Sequence, residues 1–595
     1  MYSLEPSDTD QSIAGLDIEQ SDTEHFELLE PSPKRLNVSE SCANDQLHSS
    51  PENYCSSSSD SDDLDEKLRA DLAEWVNAYQ IKHNAADRLL KILKESGHPS
   101  LPGSTRTLTK TARYVPSTQK SGMDYVYFPV KEELMQQFLR YPKAVTEKAT
   151  TLELSLNIDG LPLFKSSSNT LWPILCGIMN VEPVTVFPVA MTYGRSKPTN
   201  LEFLQDTIDD LNVLLNDGLD IGERVIPISI RCIVCDAPAK ALVKGTKLYS
   251  GYFGCDKCCQ RGEWFGRIIY PDTRNLELRT DTSFRDQSND DHHRTDSPFC
   301  QMPIDMVDKF PVDYMHQLCL GVMKKLLLIW MRGNRDVKIS ARQVEEISQK
   351  LIGLKSAMPS SFARKPRSLS DIDRWKATEF RQFLLYTGKI VLDGILKTDL
   401  YAHFMSLSIA SRILVSPTLV QTHWKYASDL LVYFVEKGRD LYGREFLVYN
   451  VHSMLHLASQ AKEFGGLDSC SSFPFENYMQ KLKRVVRSGK NPIAQLTKRL
   501  SELRTIKIPE KVFEQHCARS QIMPSYSKTV SPAKFYRKQA IVMRMETPSI
   551  SVEFTNIYVP CSTHLVIPES LEFIEQTVAV HESNCYHQSL LHKKQ

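Results

Sequence analysis

The sequence predicts an α/β core interrupted by a large all-α insertion, with a disordered acidic N-terminus ahead of it and a small β-rich C-terminal region behind. Three observations carry this expectation. Residues 152–158 read Leu-Glu-Leu-Ser-Leu-Asn-Ile, a period of two that marks a strand. Two more strand patterns, an amphipathic helix and a further strand follow up to residue 234. Between 316 and 445 the apolar residues then fall at helical spacing, with few strand signals.

The totals bound the reading. A chain of 595 residues suggests about three or four domains. Lys plus Arg and Asp plus Glu are equal at 72 each. That balance hides an asymmetry: residues 1–66 hold 17 acidic residues against only Lys34 and Arg35, so they carry −15 and the remainder +15. A basic body behind an acidic tail suits a polyanionic partner. The N-terminus has no apolar signal segment. The run Leu326-Leu327-Leu328-Ile329-Trp330-Met331 is too short to span a membrane, so no membrane partner is expected. The 14 cysteines are irregularly spaced, which favours thiols or metal ligation over a disulfide framework.

Taken in order, residues 1–66 are rich in Ser, Asp and Glu and cannot bury enough apolar surface to offset their ordering entropy. Pro33-Lys34-Arg35 is a short basic cluster of the kind found in nuclear-import signals and on ordinary surfaces alike. Leu64, Leu68, Leu72, Trp75, Val76, Tyr79 and Ile81 give one helix, and Asn84-Ala85-Ala86 opens a second through Leu93. Residues 104–120 follow as an arm with Arg106, Lys110, Arg113 and Lys120 and no acid. A helix pair with a basic arm grips DNA backbone or serves as a packing hairpin. A strand over 125–130 and a helix over 132–139 precede the strand ending at Asp159. Strands over 171–179 and 186–192, a helix over 200–216 and a strand over 225–234 complete a β-β-β-α-β unit. That topology is the front half of a ribonuclease-H-like fold. Helices are expected over 316–331, 340–357, 372–396, 399–414, 417–441, 448–463 and 475–487, and β-branched and aromatic residues return over 525–580. The division is thus 1–66 disordered, 67–122 helix pair and basic arm, 123–260 front half of the core, 261–447 mainly α insertion, 448–505 end of the core and 506–595 β-rich.

The chemistry-bearing residues fall into two sets. Asp159 and Asp236 each end a strand of the β-β-β-α-β unit. A carboxylate at the tip of a buried strand is costly unless it is paired, hydrogen-bonded or on a metal. An Asp159-Gly160 pair also makes a hairpin turn. Two-metal phosphoryl transfer needs carboxylates from separated segments, and hard cations such as Mg²⁺ take carboxylate oxygens. Glu476, opening the 475–487 helix, is the candidate third carboxylate; a first-turn Glu also complements the helix dipole. Lys481, Lys483, Arg484, Arg487 and Lys490 follow it and make either a solvated face or a phosphodiester-backbone contact. Asp313 suits an N-cap for the apolar helix after it, and His316 a core histidine of that helix.

The second set is Cys255-Asp256-Lys257-Cys258, a C-x₂-C knuckle, with His452 and His456 at i and i+4. Two thiolates and two imidazoles make a closed tetrahedral zinc site. The long gap between the pairs leaves a buried Cys pair with two core histidines as the alternative, and Cys259 competes with Cys258 as a ligand.

Asn157-Ile158-Asp159-Gly160 followed by residues 166–175, CDAPA at 235–239, DYMH at 313–316 and FENYMQKLKRVVRSGKNP at 475–492 together resemble the transposases of the CACTA (CMC) group and their animal relatives, in the same order, over roughly residues 150–500. The resemblance implies a ribonuclease-H-like DDE core with an all-α insertion, a catalytic triad on Asp159, Asp236 and Glu476, and a D-x₂-H signature on Asp313 and His316 with the His near the scissile phosphate. The catalytic subunit of the V(D)J recombinase is a more distant look-alike. Its C-x₂-C after the second Asp and its His pair before the Glu imply a structural Zn²⁺ on Cys255, Cys258, His452 and His456. The helix pair at 67–122 and the 506–595 region match no known DNA-reading module.

The function expected is therefore a DDE transposase that cleaves and joins DNA strands with two Mg²⁺ (or Mn²⁺) ions, acting in the nucleus. Its partners are transposon-end and target DNA and further copies of itself, as a homodimer or larger assembly. The alternatives are a domesticated descendant that binds DNA or chromatin without cutting, and a purely structural interaction protein.

Overall fold

The computed structural model describes residues 60–504 apart from 80, 360 and 361. The β-rich region expected at 506–595 and nearly all of the acidic segment lie outside the described residues. The expected boundary at 66 is corrected, because helix α1 (Asp60–Ala78) already includes the last residues of that segment. Its apolar positions Leu68, Leu72 and Val76 pack with Ala86 and Leu90 of α2 (His83–Glu95) and Leu108 of α3 (Thr105–Leu108). This small helical unit is tied to the far end of the described chain. Asn77 donates to the Glu502 carbonyl at 3.3 Å, and Arg499 hydrogen-bonds His83.

The basic arm is not free. Residues 105–108 form α3, and 118–120 form the edge strand β1 (Thr118–Lys120), where Lys120 pairs with Asp206 at 2.7 Å. The chain continues through β2 (Met123–Tyr127), α4 (Val130–Phe138), α5 (Lys143–Thr146), β3 (Leu152–Ile158), β4 (Leu161–Pro162), β5 (Asn169–Ile178), β6 (Thr185–Arg195), α6 (Gln205–Asp217), the β7 (Leu219–Asp220) and β8 (Val225–Ile226) pair, β9 (Ile228–Val234) and α7 (Ala237–Lys244). The strand expected over 225–234 is broken at Pro227, which has no N–H to donate to a ladder.

The main sheet has the order β1-β2-β6-β5-β3-β9, with β4 paired to β5. Neighbours are antiparallel except β3 and β9, which are parallel. Both faces are covered. On one, Leu154, Leu156 and Ile158 pack with α4 and α6. On the other, Leu171, Leu175 and Met191 pack against the helices that follow the insertion. The alternation in β3 predicts one wet face, yet Ser155 and Asn157 are buried too. Each is hydrogen-bonded: Ser155 to Cys232 at 3.3 Å, and Asn157 Nδ2 to the Val234 carbonyl at 2.8 Å.

The sheet's core extends past the boundary expected at 260. After the small hairpin β10 (Glu263–Trp264) and β11 (Ile268–Ile269) and helix α8 (Asp281–Arg285), Phe284, Phe299, Ile304 and Phe310 all pack into the sheet's own cluster. The separate helical core takes Ile269 of β11 and otherwise begins after residue 311. It comprises a π-helical segment, Met315–Met323, and α9 (Lys324–Arg332), α10 (Ala341–Gly353), α11 (Ala377–Gln382), α12 (Gly388–Val391), α13 (Thr398–Val415) and α14 (Pro417–Tyr442). The helix expected over 372–396 is instead a 3₁₀ turn, α11, a π turn and α12. A fresh start at Lys376, whose N–H is capped by Glu379 at 2.8 Å, separates the first two. The chain returns to the sheet through α15 (Tyr449–His452), α16 (Leu457–Phe464), α17 (Phe473–Val485) and α18 (Pro492–Arg504).

Helix α17 is seated by Phe475, fully buried, whose ring lies 3.3 Å from where a Cβ on Gly177 of β5 would stand. The absence of a side chain there lets the helix approach the strand. Phe475→Ala is expected to cost about 3–5 kcal/mol, read as a lower urea midpoint of the full chain.

Candidate functional site

Two side-chain clusters stand out. The first gathers at the C-terminal ends of β3 and β9. Because these strands are parallel, with Asn157 opposite Val234, the residues just beyond them, Asp159 and Asp236, emerge on the same edge of the sheet. Asp159 does make a local turn: its Oδ1 accepts from the Gly160 N–H at 2.7 Å, and a Cβ on Gly160 would lie 3.0 Å from the Trp172 ring. The turn positions the carboxylate. Asp236 caps α7, its Oδ1 accepting from the Ala239 N–H at 2.7 Å.

Glu476 and His316 join from distant parts of the chain. Ligand atoms of Asp159, His316 and Glu476 all lie within 4.8 Å of one another, and His316 Nε2 stands 4.0 Å from Glu476 Oε1. His316 is aimed by Asp313. This fully buried carboxylate accepts from His316 Nδ1 at 2.6 Å and, through its other oxygen, from the Ser472 N–H at 2.9 Å. Asp313 thus does more than cap a helix: one side chain fixes both the imidazole and the residue just ahead of α17.

The electrostatics are those of crowded acids. Burial, then the charges of Asp236 and Glu476, push the Asp159 carboxyl well above its ordinary range. Burial raises Asp236 and Glu476 as well. Burial alone would lower His316, but the Asp313 hydrogen bond and the charges of Asp313, Asp159 and Asp236 hold it at about 10. The pocket therefore carries several carboxylates against one imidazolium. Such a donor set suits a hard divalent cation, whose charge would reverse the rise of the acids.

The second cluster is fully buried. Cys255 Sγ lies 3.5 Å from His456 Nε2, Cys258 Sγ lies 3.3 Å from His452 Nε2, and the two Nε2 atoms are 3.3 Å apart. A tetrahedral ion with nitrogen at ~2.05 Å and sulfur at ~2.3 Å has N···N edges of about 3.3 Å and N···S edges of about 3.5 Å. The four side chains thus form a group that can hold a metal ion. Burial opposes ionisation of Cys255, but the Cys258 hydrogen bond and both imidazoles bring its thiol well below the ordinary value. Cys259 is only half-buried and outside the group, which settles the choice with Cys258. The histidines do not lie on one regular α-helix as expected. His452 ends α15 and His456 ends a 3₁₀ turn, and this tighter turn still converges the rings.

No protein-family model and no curated protein matches this sequence.

The two clusters are connected through residues that sequence reasoning missed. Asp256, inside the C-x₂-C knuckle, takes Lys240 Nζ at 3.0 Å and the Tyr449 hydroxyl at 2.9 Å. Lys240 lies one turn along α7 from its cap Asp236, and both members of the ion pair are buried. Tyr449 is on the same short helix as His452, whose ring stacks on Tyr270 at 4.9 Å. The only sequence-level signal was an acid within an otherwise metal-like knuckle.

The basic residues diverge. Lys481, Arg484, Arg487 and Lys490 are exposed and Lys483 is half-buried. α17 stops at Val485, short of the expected 487, so Arg487 and Lys490 lie in a loop that the Gln495 side chain holds by donating to the Ser488 and Lys490 carbonyls. Burial and then the Arg499 charge lower Arg487, with Glu502 opposing. Lys483 is lowered by burial and by Lys376 and Lys165, two lysines from separate segments that the sequence did not suggest as neighbours.

Cys258→Ser or His456→Ala is expected to remove about one equivalent of bound metal per chain, and Cys259→Ser to retain it, measured by elemental analysis of the purified protein.

Proposed function

We propose that the protein is a DDE-type DNA transposase with a ribonuclease-H-like core, cleaving and joining DNA strands. The observation that carries this reading is the meeting of Asp159, His316 and Glu476, far apart in the chain, beside Asp236 at the ends of two parallel strands. Three antiparallel strands, a helix and a fourth strand parallel to the first support the fold assignment. Asp159, Asp236 and Glu476 would hold two Mg²⁺ or Mn²⁺ ions, which supply activation of the attacking oxygen and stabilisation of the leaving one. His316, kept cationic by Asp313, is suited to donate from Nε2 to a phosphate oxygen at the scissile bond. Lys481, Lys483 and Arg484, further along the helix that carries Glu476, would hold the DNA backbone. A structural zinc on Cys255, Cys258, His452 and His456 would clamp the end of the helical insertion to the core. The partners are transposon-end and target DNA and further copies of the chain, and the compartment is the nucleus.

One observation favours a second reading, a DNA-binding descendant without cleavage. One Asp236 oxygen is engaged in capping α7, and Asp236 is not among the three residues whose ligand atoms lie within 4.8 Å.

Strand cleavage of end-containing DNA with Mg²⁺ or Mn²⁺ separates the two. Asp236→Asn and Glu476→Gln are expected to lower the rate to background and His316→Ala to lower it about 10²-fold. Equal activity of wild type and Asp236→Asn would overturn the assignment.

The raised carboxyls make a further expectation. Groups that bind protons more tightly in the folded state stabilise it at low pH, and that contribution is lost as pH rises through their folded values. Without divalent ions the melting temperature should therefore fall as pH rises past the ordinary carboxylate range, and added Mn²⁺ should restore it. Asp159→Asn should raise the melting temperature of the ion-free protein at neutral pH and abolish the Mn²⁺ response, as followed by calorimetry.

A further inference from the structure

Away from the acid cluster, the β10–β11 hairpin presents aromatic side chains to water. Trp264 is 67% exposed, Phe265 46% and the neighbouring Tyr252 45%. Exposed apolar side chains gathered in one place, rather than scattered singly, mark contact surfaces. Two of the three rings carry a guanidinium group. Arg261 lies over the Tyr252 ring at 5.2 Å and Arg444 over the Phe265 ring at 5.4 Å. Arg267, at the end of the turn, is exposed. Glu263, the acid on the hairpin itself, is already paired with Arg444. Among the described residues neither Arg261 nor Arg267 has a carboxylate within ion-pair distance; nearby Lys325 is lowered by burial and then by the Arg267 charge, with Glu445 opposing. The surface is therefore aromatic and net positive.

It is also rigid. Gly266 sits at φ +68°, the conformation the tight turn requires, and the Phe265 N–H donates to the Arg267 carbonyl at 2.7 Å. At its base Ile268 and Tyr270 pack with Cys255, Cys258 and Tyr449, and the Tyr270 N–H donates to the Leu447 carbonyl at 2.8 Å. The hairpin is thus anchored on the metal-type cluster while its tip faces solvent. A preorganised aromatic loses little entropy when a flat partner stacks on it.

We propose that residues 252 and 261–267 form a binding surface for unpaired nucleotides, with Trp264 and Phe265 stacking on bases and Arg261 and Arg267 engaging phosphates. Stacking accepts any base, and paired bases in a duplex do not offer their faces. Guanidiniums beside the rings match a polyanion, and rings for stacking next to cations for phosphate are the combination that single-strand sites use. This goes beyond the strand-cleavage reading, and its test reads binding alone.

The test uses the full chain and a fluorescein-labelled 20-nucleotide oligo(dT), without added divalent ions, with a duplex of equal length for comparison. Wild type should bind the single strand. Trp264→Ala with Phe265→Ala should weaken that binding about tenfold or more and duplex binding less than twofold. Trp264→Phe should retain most of the affinity and Trp264→Leu should not, which separates stacking from mere apolarity. Both side chains are exposed, so melting temperature and bound metal should match wild type. The proposal is overturned if wild type does not bind the oligonucleotide, if single-strand and duplex binding fall equally, or if Leu serves as well as Phe. It is also overturned if the double variant changes only the sedimentation of the chain, which would assign the surface to contact between copies.

Discussion

The parallel pairing of β3 with β9 imposes the cost around which the rest of the molecule is arranged. It brings Asp159 and Asp236 out on one edge of a sheet covered on both faces. Carboxylates crowded in that setting repel one another and lose water, and the rise of the Asp159, Asp236 and Glu476 carboxyls expresses both effects. A fold that only needed stability would place apolar or hydrogen-bonded neutral groups there. Carboxyls shifted in this way by burial and by one another mark a candidate functional site.

Several devices hold that arrangement. Phe475 seats α17 against the glycine of β5, so Glu476 reaches the acids from the opposite layer. Asp313 uses its two oxygens on His316 and on the Ser472 N–H, so the imidazole and the approach to α17 move as one unit. The Lys240–Asp256 pair ties α7, and with it Asp236, to the Cys/His group. A buried ion pair is a weak source of net stability, because desolvation offsets much of its attraction. Its use here is geometric, since it fixes α7 relative to the knuckle in one register.

The Cys/His group has a second consequence. It gathers the knuckle, the small hairpin and the end of the helical insertion around one point. Elements joined by few apolar contacts of their own would be clamped by a metal ion that takes all four side chains. A metal held there would firm the exposed aromatics of the β10–β11 hairpin, which sit at the tip of a two-stranded ribbon that is marginal alone.

Period-two and helical spacing in the sequence were enough for the strands 152–158 and 171–179, the helices of the 399–441 region and the opening helix pair, because side-chain periodicity follows directly from backbone geometry. The strand-end acids, Glu476, His316 and the Cys and His pairs were also nameable, since their chemistry is written in residue type. Context decided the rest. Pro227 splits a strand that the apolar run suggested was continuous, and residues 284–310 complete the sheet's core although no periodicity assigns them to it. The roles of Asp313 and Asp256 depend on partners 159 and 16 residues away, Ser472 and Lys240. By itself, then, the sequence determined which local elements form and which side chains are able to do chemistry. Only the tertiary structure decided which of those side chains meet and which lysines crowd together. Contacts between distant segments depend on the packing of both faces of a sheet, and local spacing carries no record of that packing.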